Sequence, residues 1–178
     1  MKELDLYTID NKYIHYLQEN ERKDRGFTKV SNNLTDEYSN QKPYVGIVLE
    51  IDDYKYFVPL THPKEHYDSR IKFFNRFSQP IKLKSGRDYG RIMFCYMLPL
   101  KDENVLKRIC INEIVDIKYK SILMTQYFYI NSREGNKMIL KKTHSFYNKV
   151  HNNPQHYLYK YCCAFELLEK YSEKYHFK

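Results

Sequence analysis

The chain has 178 residues, with 30 Lys and Arg against 22 Asp and Glu, which gives a formal net charge of +8 at pH 7. This length predicts one domain spanning residues 1–178, and the positive excess predicts an anionic partner, nucleic acid first. The N-terminus, MKELDLYTID, lacks the apolar stretch of a signal peptide and no later apolar run approaches a membrane span, so we expect a soluble cytoplasmic protein without a membrane partner.

The chain is rich in aromatic residues, with 19 Tyr, 10 Phe and no Trp. Tyrosines interleaved with lysines suit single-stranded RNA, because bases stack on rings while phosphates meet ammonium groups. Most of the rings are nevertheless expected in the core. The four cysteines form no C-x-x-C pair, which argues against a zinc site and against a secreted disulfide framework. We expect no metal and no cofactor.

The first predicted element is a strand, because LDLYTI alternates apolar and polar residues. A short helix is predicted through KYIHYLQE, capped by Asp10 or Asn11, with Tyr13 and Leu17 on one side. Residues 20–40 are mostly polar and predict a long surface loop, a kind of segment that often carries function.

The middle of the chain predicts strands, and the C-terminal part predicts helices. The predicted strands are residues 43–51, 54–61, 71–77 and 90–98, with a turn at KSGRD before the last. From about Asp116 the apolar period becomes helical, first at 122–130 and then at 139–150. A last helix is predicted to begin at 153–154 with an Asn-Pro pair. Strands followed by helices predict an α+β fold, a twisted antiparallel sheet or small barrel with packed helices.

The two central strands are predicted to form a β-hairpin. With Asp52 and Asp53 as the loop, the predicted pairs are Ile51 with Tyr54, Leu49 with Tyr56, Ile47 with Val58, and Val45 with Leu60. This face is wholly apolar and is predicted to face the core. The other face then carries Tyr44 opposite Thr61. One step further, at the open end, it carries Lys42 opposite Pro63.

Two lysines flank this open end, and each adjoins a proline. Lys42 precedes Pro43 and Lys64 follows Pro63. Proline restricts the backbone dihedral angles at and next to its own position, so both lysine side chains are attached to a conformationally restricted backbone. Positive charge held in a fixed place is what a phosphoryl-transfer site needs when charge builds on the phosphorus oxygens. Lysine at a strand end is also an ordinary solvated residue. The pattern alone therefore leaves both interpretations open.

The run YSNQKPYVGIVLEI, followed by YFVPLTHPK, resembles the toxin endoribonucleases of type III toxin–antitoxin systems, the ToxN and AbiQ family. In that family a Tyr and a Lys precede a G-I-V-L-E-I strand, and a P-L-T-S-P-K run follows the next strand. The opening LYTIDNKYIHYL is similar to the family's first strand and helix, and YKSILMTQYFYINS is similar to its long helix. The resemblance covers most of the chain and is specific in these segments.

The resemblance implies a small SH3-like barrel with added helices that cleaves RNA without a metal. The ribose 2′-hydroxyl would attack its own phosphate, leaving a 2′,3′-cyclic phosphate and a 5′-hydroxyl end. It further implies a repeated, pseudoknotted antitoxin RNA as inhibitor, with cellular or phage RNA as substrate. Phage defence or growth arrest would be the biological role, and protein and RNA would assemble into an RNA-bridged oligomer.

The family pattern also implies catalytic residues at matching positions of this chain. Lys64 would be the main catalytic amine, with Lys42 and Thr61 stabilising the phosphate. Tyr38 would position the RNA or donate a proton. His62 stands where the family has serine, so its role is open between a phosphate contact and proton transfer.

Five further residues are predicted to contact RNA. Tyr129 matches by spacing an aromatic residue of the family's long helix that contacts RNA, and Tyr127 lies in the same ring-rich segment. Lys141 and Lys142 add positive charge on the next predicted helix. Tyr44 lies on the open face of the hairpin. Together they predict a long basic and aromatic groove that includes the active site.

Two other functions compete with this interpretation. HPKEH satisfies the H-x-x-E-H zinc-protease pattern, in which His62 and His66 would bind zinc and Glu65 would act as base. No third ligand and no helix of the motif's length are evident there. The chain also fits a basic RNA-binding module without chemistry. Only a nuclease of the implied kind leaves a cyclic phosphate end, so the product distinguishes the two.

Overall fold

The computed structural model describes residues 3–32, 42–63, 71–83 and 85–176. The strands are β1 (Asp5–Ile9), β2 (Tyr44–Ile51), β3 (Tyr54–Pro59), β4 (Gln79–Lys82), β5 (Asp88–Ile92), β6 (Leu98–Leu100) and β7 (Leu106–Arg108). The helices are α1 (Asn11–Arg25), α2 (Ile71–Phe74), α3 (Ile117–Asn131), α4 (Arg133–Val150) and α5 (Phe165–Lys174). Short 3₁₀ turns lie at Phe94–Tyr96, Glu103–Val105, Ile111–Glu113 and Tyr159–Tyr161. Within the described ranges, no helix is long and apolar enough to cross a membrane.

The strands form two antiparallel sheets that meet at the end of β3. The larger sheet has the order β6-β3-β2-β1-β7, and the smaller one pairs β4 with β5. The first half of β3 pairs with β6, whereas beyond Pro59 the chain meets β5, where Leu60 bridges Ile92. The larger sheet therefore curls toward the smaller one, and the predicted α+β class, an antiparallel sheet with packed helices, is confirmed.

Helix α1 is longer than predicted. Asp10 caps it as predicted, since its carboxylate accepts backbone hydrogen bonds in the first turn. The helix continues to Arg25, into the segment predicted as loop. The cause is Glu21, whose buried carboxylate accepts hydrogen bonds from the Thr28 hydroxyl at 2.6 Å and from the Ala164 N–H at 2.8 Å. A charged residue can lie inside here because its oxygens are hydrogen-bonded.

Helices α3 and α4 confirm the predicted change to a helical period. Asp116 caps α3 by accepting a hydrogen bond from the Tyr119 N–H at 3.0 Å. Ser132 ends α3 and caps α4, accepting from the Gly135 N–H at 3.1 Å. The buried residues of both helices repeat at three- and four-residue spacing, as an amphipathic helix on a core requires.

Two of the predicted strands are wrong. Residues 71–77 form α2 and a turn, because three phenylalanines at helical spacing pack on one another and on Tyr161. Residues 90–98 form β5 only as far as Ile92. A 3₁₀ turn then redirects the chain from the smaller sheet to β6, at the edge of the larger one. A short apolar run fits strand and helix alike, so periodicity does not separate them.

The last helix begins later than predicted. Residues 153–154 lie in a turn region that follows Asn152, whose φ is +52°. The N–H of Cys163 donates to the carbonyl of Cys95 at 2.9 Å, which ties the segment before α5 to the core. Helix α5 begins only at Phe165, after this tie.

The β2–β3 hairpin has the predicted turn but only part of the predicted register. The pairs next to the turn are as predicted: Ile51 with Tyr54 and Leu49 with Tyr56. Val45, however, pairs with Val58 instead of Leu60, because β2 bulges between Val45 and Leu49. A shift of two residues keeps each side chain on its predicted face. The apolar face is buried, as predicted.

A buried polar cluster joins the sheet to two helices. The Tyr56 hydroxyl donates to Glu169 of α5 at 2.6 Å, and the Tyr147 hydroxyl of α4 donates to the same oxygen at 2.8 Å. Nε2 of His151 lies 2.9 Å from the other oxygen of Glu169. These hydrogen bonds fix α4 and α5 over the core face of the hairpin.

The end of β3 approaches β5 most closely at Gly90. A Cβ atom on Gly90 would lie 2.0 Å from the carbonyl oxygen of Thr61, and its φ is +101°. Only glycine satisfies both conditions without strain. The absence of a side chain at this position therefore allows the two sheets to meet.

We expect Gly90→Ala to destabilise the fold by about 2 to 5 kcal/mol, because it combines backbone strain with overpacking. Gly86→Ala is the matched control, since its φ is +82° but nothing lies within 4 Å of the added Cβ. It should cost only about 1 to 2 kcal/mol. Urea unfolding followed by circular dichroism measures both variants. Equal losses would contradict the close approach at Gly90.

Candidate active site

The candidate active site lies at the open end of the β2–β3 hairpin. The Leu60 N–H donates to the Pro43 carbonyl at 2.8 Å. Continuing this register by one residue puts Lys42 beside Thr61, so the predicted pairing of Lys42 with Pro63 is wrong. The bulge in β2 is the cause, because it shifts the pairing by two residues. Two predicted catalytic residues thus become direct neighbours.

Thr61 is fixed by hydrogen bonds to two neighbouring elements. Its N–H donates to the Arg91 carbonyl at 2.9 Å, and its Oγ1 accepts from the Arg91 N–H at 3.0 Å. Its carbonyl accepts from Nε2 of Gln126 in α3 at 3.2 Å. The hydroxyl uses its oxygen toward Arg91 and keeps its hydrogen. The hydroxyl hydrogen therefore remains available for donation to another acceptor.

Lys42 is half-buried, two residues before β2 begins. Burial lowers the pKa of its ammonium group from the ordinary 10.5, because a charged group loses hydration in the protein. A lysine with a lowered pKa is easier to deprotonate, and its remaining charge interacts more strongly in a partly desolvated site. The environment of Lys42 therefore suits both phosphate stabilisation and proton transfer.

His62 lies at the edge of the site, beside α3. Its ring centre is 5.8 Å from that of Tyr119, with the ring planes tilted by 48°. Tyr119 is buried, and burial raises its pKa to about 12, so the phenol stays neutral at physiological pH. The position of His62 next to Thr61 is compatible with both roles predicted for it.

Part of the predicted site lies outside the residues that the structure describes. Tyr38 and Lys64 lie outside the described residues, as do Glu65 and His66 of the H-x-x-E-H pattern. Of that pattern, only His62 is placed. In the part of the chain that the structure describes, no group of three or more His, Cys, Asp or Glu side chains could hold a metal ion.

Two further cations, Arg91 and Lys142, lie near the candidate site, and the backbone of Arg91 contacts Thr61. The guanidinium of Arg91 is buried, with Nε donating to the Ser78 hydroxyl at 2.9 Å and Nη2 to the Asn75 amide oxygen. Lys142 donates to the Gln79 amide oxygen at 2.6 Å. Burial, followed by the charge of Arg91, lowers the pKa of Lys142. The charges of Arg91 and Lys142 add, so this part of the surface favours an anion.

Tyr129 belongs to the same surface as this cationic pair. Its half-buried ring meets Gln79, the residue that also binds Lys142. Burial raises the pKa of the Tyr129 phenol, and the hydrogen bond with Gln79 partly counteracts the increase. Lys141 is exposed, one residue away on α4. The structure thus brings Tyr129 and Lys142 together next to the backbone that holds Thr61.

Tyr127 does not share the surface of Tyr129. Residues two apart on a helix point to nearly opposite sides. The Tyr127 hydroxyl donates to Glu3, and the ring lines a groove with Asp5 and Arg108 on the far side of α3. The prediction that both tyrosines line one groove is therefore wrong.

Tyr44 is not available to RNA. Its side chain is fully buried, so the predicted stacking of its ring on a base is wrong. The segment after α1 and the segment before α5 cover this face of β2, near Ser31 and Cys163. Alternation along a strand identifies the face of a residue but does not show what covers it.

Sequence reasoning missed Arg91 and Gln126. Arg91 lies in DYGRI, a short strand whose pattern does not distinguish a solvated arginine from a buried one. Gln126 lies within residues 122–130, for which a helical period was predicted, but its hydrogen bonds to the carbonyls of Thr61 and Tyr89 depend on the tertiary contact. The glycine at position 90 was the one available signal, since glycine within a strand often marks a close backbone approach.

Comparisons with known proteins agree on one family. A family model described as toxin ToxN of a type III toxin–antitoxin system matches residues 5–173. Endoribonuclease ToxN of Pectobacterium atrosepticum is 31% identical over 168 residues, which cover 94% of this chain and 91% of that protein.

Two solved structures have the same fold as this chain. One is described as a type III toxin selectively inhibited by a non-coding RNA pseudoknot; its TM-score is 0.78 at 26% identity, with 98% of each chain covered. The other is AbiQ, a lactococcal anti-phage endoribonuclease of a type III system, with a TM-score of 0.78 at 25% identity and the same coverage. The chain therefore belongs to the ToxN family, the endoribonuclease toxins of type III toxin–antitoxin systems.

Proposed function

We propose that this chain cleaves RNA at the open end of the β2–β3 hairpin and is inhibited by a repeated, pseudoknotted antitoxin RNA. The observation that carries the proposal is the pairing of half-buried Lys42 with the oriented hydroxyl of Thr61. Family membership supports it, because a relative is an endoribonuclease and a neighbouring structure is a toxin inhibited by an RNA pseudoknot.

The proposed reaction needs no metal. The ribose 2′-oxygen forms a bond to the adjacent phosphorus as the bond to the 5′-oxygen breaks. The proton of the 2′-hydroxyl is removed and the leaving 5′-oxygen receives one, which leaves a 2′,3′-cyclic phosphate and a 5′-hydroxyl. General acid–base catalysis supplies both proton transfers, and fixed cations stabilise the charge on the phosphorane oxygens.

The residues take these roles as follows. Lys64 is the main catalytic amine, and Tyr38 positions the RNA or protonates the leaving oxygen. Lys42 and Thr61 stabilise the phosphate, a role that suits a partly desolvated ammonium group and a hydroxyl with its hydrogen free to donate. His62 contacts phosphate or carries a proton.

RNA enters along a basic surface that continues from the site. Lys142 binds a neighbouring phosphate, and the half-exposed ring of Tyr129 stacks on a base beside it. Buried Arg91 adds its positive charge to the attraction without touching the RNA. Lys141 adds long-range attraction from the exposed side of α4. This surface replaces the longer groove predicted from the sequence.

Several finer properties belong to the same proposal. The curled sheet is an SH3-like barrel, and residues 1–178 form a single endoribonuclease domain. The protein acts in the cytoplasm, on cellular or phage RNA, in phage defence or growth arrest. Protein and antitoxin RNA assemble into an RNA-bridged oligomer.

Cleavage should continue in excess EDTA and yield 2′,3′-cyclic phosphate ends, because lysines and the threonine hydroxyl supply the stabilisation that a metal otherwise provides. Mass spectrometry of the products of a single-stranded RNA checks both points. Activity lost in EDTA and restored by zinc would favour the H-x-x-E-H interpretation. Tight binding without any cleavage would favour the RNA-binding module.

Lys64→Met should abolish cellular toxicity and lower the cleavage rate by about 100-fold or more, because it removes a charge that acts in the transition state. The fold should survive, because a single lysine side chain usually contributes little to stability. His62→Ser is the control and should be much milder, since the family carries serine there. A folded Lys64→Met protein that cleaves at the parent rate would contradict the assignment.

Lys42→Met should stabilise the fold at neutral pH while slowing cleavage. Because the pKa of Lys42 is lower in the folded chain, the unfolded chain binds the proton more tightly. The parent therefore gains stability as pH rises through the folded pKa toward the ordinary 10.5. The variant lacks this gain. In urea unfolding, the free energy of unfolding of Lys42→Met should exceed that of the parent at pH 7, and the difference should shrink toward pH 10. A variant that is less stable than the parent at pH 7 would contradict the interpretation that the buried charge destabilises the fold.

A further inference from the structure

A second groove, distant in sequence from the hairpin, combines aromatic rings with positive charge. It has a volume of about 440 Å³ and lies between the end of α1 and the segment before α5. Its lining includes Arg25, Phe27, Tyr157, Tyr159 and Lys160. This volume falls within the range of about 300 to 1,000 Å³ found for ligand pockets. None of the described residues that line it is acidic.

The floor of the groove is rigid. The guanidinium of Arg25 lies between two rings, 4.5 Å from the centre of Phe27 and 4.8 Å from that of Tyr159. Its hydrogen bonds to the carboxylate of Glu21 and the carbonyl of Cys162 fix it in place. The Phe27 and Tyr159 side chains are held by cation–π contacts with Arg25, which a buried ion pair fixes in place. They therefore lose little conformational entropy when a ligand binds.

The walls of the groove present ring surface to solvent. Phe27 is 42% exposed and Tyr157 is 56% exposed, although both rings are large and apolar. His156 stacks against one face of Tyr157, with ring centres 4.8 Å apart. The ammonium of Lys29 lies 5.7 Å from the centre of the Phe27 ring. Exposed rings next to cations are the arrangement that binds an unstacked base together with its phosphate.

The groove is connected to the candidate active site through packed residues. Tyr161, which follows Lys160, stacks on Phe77 with ring centres 6.2 Å apart. Ser78 follows Phe77 and accepts the hydrogen bond from Arg91. One packed layer thus joins the two surfaces through the interior of the protein.

We propose that this groove, lined by Phe27, Tyr157 and Lys160, binds an unstacked base and adjacent phosphate of single-stranded RNA outside the cleavage site. The inference rests on the proposed RNA-cleaving function. The groove along α3 is of similar size but carries Asp5 and Glu113 in its lining, and there Asp5 pairs with Arg108. The basic groove is therefore the one that attracts a polyanion.

The test uses the full chain and a labelled 2′-O-methyl oligonucleotide of about 16 nucleotides, which the protein cannot cleave because the attacking hydroxyl is blocked. We expect Tyr157→Ala to weaken binding by about 5- to 100-fold, the effect of one lost base stack. Tyr157→Phe should bind like the parent, since it keeps the ring. Phe128→Ala is the matched control, because Phe128 is 66% exposed in the groove along α3, and it should bind like the parent.

An abasic oligonucleotide of the same length isolates the contribution of the base. Tyr157→Ala and the parent should bind it equally, whereas Lys160→Gln should reduce the salt dependence by a slope of about 0.7, for one lost phosphate contact. Equal binding of the base-bearing probe by Tyr157→Ala and the parent would overturn the inference while leaving the nuclease intact. The inference would also be overturned if Phe128→Ala lost as much affinity as Tyr157→Ala. It would equally be overturned if Tyr157→Ala bound the abasic probe more weakly than the parent by the same factor as the base-bearing probe. A parent chain that neither binds nor cleaves RNA would instead refute the proposed function itself.

Discussion

The contact between Gly90 and the carbonyl of Thr61 is the constraint on which the arrangement of the site depends. It brings β5 against the end of β3, so β3 leaves one sheet and meets another within a few residues. At that point the backbone of Arg91 binds both the N–H and the hydroxyl of Thr61, and Gln126 binds its carbonyl. The hydroxyl of Thr61 is thereby fixed by hydrogen bonds to two neighbouring elements, which is the property that the proposed catalytic role requires.

The same region concentrates positive charge at a cost to the fold. Lys42 and Lys142 both have lowered pKa values, each chiefly because it is partly buried, and Arg91 adds repulsion on Lys142. A folded chain tolerates such charges when a polar scaffold holds them, here the side chains of Gln79 and Ser78. An anion bound there would reduce the repulsion between Arg91 and Lys142. Conflict between local stability and charge placement is typical of functional sites.

Net charge alone does not distinguish the surfaces of this chain. Two grooves of similar size carry exposed aromatic rings, and only their charged neighbours differ. In the groove along α3, Glu3 binds the hydroxyl of Tyr127 and Asp5 pairs with Arg108. In the other, Glu166 binds the hydroxyl of Tyr159 and buried Glu21 balances the charge of Arg25, but no carboxylate is part of the described lining. The excess of +8 is therefore effective only where cations lack acidic neighbours at the surface.

The sequence by itself determined the α+β class, the cap of α1, the hairpin turn with its apolar core face, and the location of Lys42 and Thr61 near the open end. These properties depend on side-chain periodicity and on short motifs, which are local. Only the tertiary structure decided that α1 continues past Glu21, that residues 71–77 are helical, and that Tyr44 is buried, since each depends on a partner distant in the chain. It also decided that Lys42 lies beside Thr61, because the register there follows from a bulge in β2 and from the contact of the following residues with β5. The spacing of apolar residues along the chain predicts the face on which a side chain lies, whereas tertiary packing determines which residues it contacts.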